Sequence, residues 1–128
     1  MDTLLNESLP IYMQIMDHIR AAIISGELKA GEKIASVREL AEAFGVNPNT
    51  MQRALSELER EGLLVSERTT GRFVTKDTEV IETVRGKAAE QIVREFLQKM
   101  RNMGFTREQV EAFFRQAEVE EDGADAAV

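Results

Sequence analysis

Asn49, Gln52, Arg53 and Ser56 recur at i, i+3, i+4 and i+7, so on a helix they form one polar stripe. Their chemistry matches base edges in the DNA major groove: arginine can donate to both acceptors of guanine, and asparagine or glutamine can pair with adenine. Met51, Ala54, Leu55 and Leu58 repeat the same spacing two residues out of phase, which puts an apolar stripe on the opposite side. On spacing alone the polar stripe serves equally as a solvated face. A second group follows at Thr69, Thr70, Gly71 and Arg72, a small polar tip with one cation suited to a nucleic-acid backbone or minor groove.

Other chemistries lack their residues. There is no cysteine, and His18 is the single histidine, so a zinc cluster or a Ser-His-Asp triad would have to use that one ring. No phosphate-loop glycine pattern and no nucleophile–base pair occurs. The expectation is therefore no enzyme, no metal and no cofactor, in a reducing cytoplasm. No apolar run approaches the length of a membrane span, and the first nine residues, with Asp2 and Glu7, lack the basic-then-apolar order of a secretion signal.

Charge works against the nucleic-acid reading unless it is local. The 128 residues carry 16 Lys and Arg against 23 Asp and Glu, a net charge of −7. Five of those acids lie after Gln116 with no base among them, whereas Ser36 to Lys76 holds six bases and six acids. Phosphate contacts dominate affinity for DNA, so binding must rest on a local surface.

The elements that must position these residues are well punctuated. Ile11, Ile15, Ile19 and Ile23 predict a helix over about 10–25, closed by Gly26. Ser36 and Glu39 form a capping box for a short second helix with Val37, Leu40, Ala41 and Phe44 inward, and Gly45 takes the C′ position. Asn47 caps the third helix and Pro48 suits its first position; Gly62 ends it. Leu63–Ser66 and Arg72–Thr75 read as a hairpin. A long helix over about 78–103 carries Ile81, Val84, Ala88, Ile92, Phe96 and Met100 at helical spacing, and a last helix starts at Thr106 with Phe113 and Phe114 inward. The fold expected is mostly α with a small β-hairpin: a winged helix-turn-helix over residues 1–76, then a two-helix dimerisation appendage over 77–128. Its acidic end is expected to be disordered from about 119. The apolar stripes of the last two helices exceed what a winged helix can cover, so a homodimer is expected about Ile81, Val84, Ala88, Ile92, Phe96, Met100, Phe113 and Phe114.

The run Gly31-Glu32-Lys33-Ile34-Ala35-Ser36-Val37-Arg38-Glu39-Leu40-Ala41 resembles the signature of the GntR transcription regulators. Val46-Asn47-Pro48-Asn49-Thr50-Met51-Gln52-Arg53-Ala54-Leu55 and Leu58-Glu59-Arg60-Glu61-Gly62-Leu63 continue it, and the match covers about 10–74. The short two-helix end is similar to the YtrA-type branch. Two positions depart from the pattern: Ala35 stands for the usual proline, and Thr69 for the first glycine of the wing. The resemblance implies that Arg38 grips phosphate and base, that Asn47, Asn49, Thr50 and Gln52 line the recognition helix, and that Gly71 marks the wing tip. With Ser36, Arg53, Thr70 and Arg72, these make up the candidate DNA-binding set.

The function expected is a sequence-specific transcriptional regulator, a repressor, bound as a homodimer to an inverted-repeat operator in double-stranded DNA. The alternative is a winged-helix protein-interaction module, which the balanced charge of the motif region keeps open. No residue marks a small-molecule effector site.

Overall fold

The structure, a computed structural model, describes the backbone of residues 9–127 and the side chains of residues 9–121. Residues 1–8, which hold the segment read above for a secretion signal, lie outside the described residues.

Helix α1 (Ile11–Ile24) follows Pro10, which needs no N–H at that place. Its Ile15, Met16, Ile19 and Ile23 are buried. Ile11, expected on the same face, is 58% exposed, because the first turn of α1 runs past the core. Helix α2 (Val37–Phe44) starts at the predicted capping box: the Ser36 hydroxyl accepts from the Glu39 N–H, and the Glu39 carboxylate accepts from the Ser36 N–H, both at 3.1 Å. Gly45 stops it in the left-handed region at φ 69°, where a β-carbon would be strained. Helix α3 (Pro48–Arg60) begins three residues after Gly45, with the Asn47 side chain accepting from the Asn49 N–H at 2.7 Å.

The hairpin is shifted by one residue from the expected runs. Strands β1 (Leu64–Glu67) and β2 (Gly71–Val74) pair antiparallel, Leu64 opposite Val74 and Ser66 opposite Arg72. Leu63 precedes the strand with its side chain fully buried, and its carbonyl accepts from the Thr75 N–H at 2.9 Å at the hairpin base. Met51, Ala54, Leu55 and Leu58 of α3 join Leu63, Leu64, Val74 and the α1 isoleucines in one core.

Helix α4 (Thr78–Asn102) follows, and the chain divides within it, at Gly86, into two units. The first turns of α4 belong to the first unit. Val80, Ile81 and Val84 are half-buried against its core. Ile81 and Val84, expected on a dimer stripe, thus spend part of their surface on the winged-helix core of their own chain.

The second unit is built from the rest of α4 and helix α5 (Arg107–Ala127). Thr106 and Gln109 form the second capping box, each side chain accepting the other's backbone N–H, at 3.2 and 2.9 Å. Val110 is buried, Phe96 lies against Phe114 with ring centroids 5.4 Å apart, and Phe105 meets Phe113 edge-on at 5.3 Å. From about 119, where the composition predicts disorder, the backbone of α5 continues as helix to Ala127. Glutamate and alanine fill most of this end, and both favour helix intrinsically.

Candidate nucleic-acid interface

The stripe that carries the candidate base-reading groups is built by what lies behind it. Met51, Ala54, Leu55 and Leu58 have no exposed surface, which fixes the rotation of α3 and turns Asn49, Gln52 and Arg53 outward. Thr50 is half-buried. Asn47 spends its carbonyl oxygen on the cap and keeps its amide N–H groups for an outside acceptor. Gln52 donates to the Ser56 hydroxyl at 3.1 Å, so its amide lies along the helix surface.

Arg38 projects from the first turn of α2 into solvent, with neither a hydrogen bond nor an ion pair among the described residues. Ser36 beside it uses its oxygen as the cap acceptor. Hydrogen bonds from Ser36, first its backbone N–H and then its hydroxyl, together with the charge of Lys33, hold the Glu39 carboxyl below its ordinary pKa.

A cleft of about 680 Å3 lies between the entry to α2 and the wing, lined by Lys33, Ser36, Glu39, Thr69, Thr70, Gly71 and Arg72 among others. It brings Ser36, Thr70, Gly71 and Arg72 together, whereas Asn49, Gln52 and Arg53 line the outer face of α3. Gly71 has φ 116°, and a β-carbon there would come within 3.1 Å of Lys33 Cε. The lysine stem thus lies across the wing glycine. Thr70 gives its hydroxyl proton to Glu67 at 3.2 Å.

Arg72, a candidate cation of the wing, is paired within the chain. Its guanidinium does not stand free at the wing; its Nε donates to the Glu59 carboxylate of α3, which also accepts from the Ser66 hydroxyl at 2.5 Å. Arg72 is only 17% exposed and its charge is matched by Glu59, so it braces the wing against α3. Burial opposes ionisation of Glu59, but the bonds from Ser66 and Arg72 outweigh it and hold its pKa below the ordinary carboxylate range.

Two cations near the site escaped the sequence reading. Arg68 occupies the hairpin turn, exposed and without an ion pair among the described residues; lying between two β-prone runs, it had the sequence signal of a turn residue only. Lys33 reaches the wing because its backbone bridges Phe73 of β2, a pairing across forty residues that no local pattern announces.

In the second unit, Ile92 (66% exposed), Val93, Met103, Phe113 and Phe114 leave an apolar surface open in the single chain. Ala88, Phe96 and Met100 are half-buried.

Comparisons with known proteins agree with this geometry. Residues 11–74 match the family described as "Bacterial regulatory proteins, gntR family". The HTH-type transcriptional regulator YhcF of Bacillus subtilis is 37% identical over 110 residues, covering 86% of this chain and 91% of that protein. The HTH-type transcriptional repressor YtrA of Bacillus subtilis is 41% identical over 70 residues, and the aligned part spans 54% of its length. Among solved structures, a GntR family transcriptional regulator from Listeria monocytogenes superposes with a TM-score of 0.79 at 38% identity, covering 85% of this chain and 96% of that one. AraR(DBD) in complex with operator ORX1 superposes with a TM-score of 0.51 at 36% identity, covering 52% of this chain and 81% of that one. With a capped helix pair, a two-stranded wing and a relative similar over most of both chains, this chain belongs to the gntR family of bacterial regulatory proteins.

Proposed function

We propose that this chain is a sequence-specific DNA-binding transcriptional regulator, a repressor, that acts in the cytoplasm and binds an inverted-repeat operator as a homodimer. The observation that carries the reading is the outward stripe Asn49, Gln52 and Arg53 on a helix whose opposite face is wholly buried. Such a helix enters the major groove with its amino-terminal side chains at base edges. Arg38 and Asn47 flank it with donors that no described residue takes up, Ser36 and Thr50 lie beside them, and Thr70 and Gly71 stand at the wing tip. Repressor names among the relatives, and the operator complex of AraR(DBD), support the same reading.

The dimer rests on the apolar surface of the second unit. We assign its centre to Ile92, Phe113 and Phe114, with Ala88, Phe96 and Met100 behind them. Two copies related by a twofold axis would cover this surface, and twofold readers bind palindromic half-sites.

Salt dependence tests the reading. The duplex that the protein selects from a randomised library should bind with an affinity that falls steeply as salt rises. Failure to select any sequence, with binding indifferent to salt, would move the balance to a protein-interaction module, which the six bases and six acids between Ser36 and Lys76 favour.

A further inference from the structure

We infer that Glu59, an acidic residue on the DNA-reading helix, is a positioning residue for DNA binding: it ties the wing to the base-reading stripe and thereby increases operator affinity. The inference rests on the DNA-binding reading above.

The helical stripe does not stop at Ser56. Asn49, Gln52, Ser56 and Glu59 stand at i, i+3, i+7 and i+10, so Glu59 lies one turn beyond the last polar neighbour on the same face. Its carboxylate takes one bond from each strand of the wing, the Ser66 hydroxyl of β1 and the Arg72 guanidinium of β2, which are direct cross-strand partners. One side chain therefore fixes both strands relative to the face that reads bases.

The wing needs such a tether. Only its base is anchored in the core, through Leu64, Val74 and Thr75; Ser66 through Gly71 are all exposed. Beyond that base, the contacts holding its outer part are the backbone bond from the Ile34 N–H to the Arg72 carbonyl at 3.0 Å, the neighbouring bridge of Lys33 with Phe73, and the Glu59 pair. The first two tie the wing to the entry of α2, and among the described residues Glu59 supplies the side-chain hydrogen bonds that tie it to α3. A two-stranded hairpin is marginal by itself, so its pose depends on these contacts.

Simple electrostatics gives the opposite sign. Removing a carboxylate from a surface that meets phosphate should tighten binding. A tether predicts weaker binding, because freeing the wing raises the ordering cost of docking it.

The probe is the duplex selected by the wild-type protein from a randomised library, with a scrambled duplex as control, titrated over a salt series well below the melting transition. Glu59→Gln should bind the selected duplex about three- to tenfold more weakly, show a shallower salt slope as wing–phosphate contacts are lost, and keep or raise its affinity for the scrambled duplex. Ser66→Ala, which changes no charge, should show a smaller loss in the same direction. Equal or tighter binding of the selected duplex by a folded Glu59→Gln overturns the inference. If Glu59→Gln does not fold, Ser66→Ala decides: wild-type affinity and slope overturn it. If the wild-type protein selects no sequence, it is the DNA-binding reading that fails.

Discussion

The guanidinium carbon of Arg53 lies 3.8 Å from the centre of the Tyr12 ring. Arg53 sits on the recognition helix and Tyr12 on α1, so a candidate DNA-contacting cation is laid on an aromatic face before any DNA arrives. Cation–π pairs at exposed sites contribute about 0.5–1 kcal/mol. A double-mutant cycle of Tyr12→Leu and Arg53→Met, followed by chemical denaturation, should return a coupling energy in that range. Additive effects would mean that the stacking stabilises nothing.

Arg38→Ala should leave the fold intact, because the side chain is exposed and bonds to nothing among the described residues. It should cost about 1–3 kcal/mol of operator binding. Circular dichroism and an operator titration check the two halves, and unchanged affinity removes Arg38 from the interface.

Gln52→Ala should act on base preference more than on affinity, since base contacts specify where phosphate contacts position. Its bond to Ser56 is on the surface and contributes little to stability. Repeating the library selection with the variant is the test; recovery of the same duplex would show that Gln52 does not read a base.

Acid should loosen the wing. With the folded pKa of Glu59 depressed, its contribution to stability is complete above the unfolded value of about 4.3 and is lost as pH falls from there through the folded value. Denaturant titrations at a series of pH values should show a steeper loss of stability below about pH 4.3 in the wild type than in Glu59→Gln. Identical slopes would show that the carboxylate titrates alike in both states.

If the proposed homodimer forms through this surface, Ile92→Asp should separate its subunits without harming either one. Ile92 is exposed in the single chain, so a carboxylate there disturbs only what packs over it. Phe96→Asp should do more damage, because Phe96 already packs on Phe114 within its own chain. Sedimentation should find Ile92→Asp monomeric, with a helical spectrum like the wild type. A variant that remains dimeric puts the interface elsewhere.

The parts of this molecule governed by neighbours in sequence were legible before the structure. Both capping boxes, Asn47 with Pro48, and the left-handed Gly45 obey local backbone rules, and each is found as expected. The helical spacing around Met51 and Leu58 also predicted the outward face of α3. What escaped was set by chain return. Arg20 of α1 donates to Glu61 at 2.7 and 3.1 Å across forty-one positions, and Arg72 finds Glu59 only because the hairpin folds back beside α3. An arginine at a wing looks like an open cation until its partner is in view. Ile81 and Val84 kept the period of the long helix, but period alone does not tell which body an apolar face will meet.

The pairing of Lys33 with Phe73 also bears on solubility. With β1 on one side and the Glu32–Ile34 segment on the other, β2 has no unpaired edge along its inner part. Among the described residues the remaining free edge belongs to β1, four residues long and ending in Glu67. Exposed strand edges are templates for adding strands from other molecules, and shortness and charge blunt them. The wing thus carries a β-ribbon on an exposed surface while offering a stray strand little to pair with, and copies crowded together on neighbouring sites can stay free of aggregation.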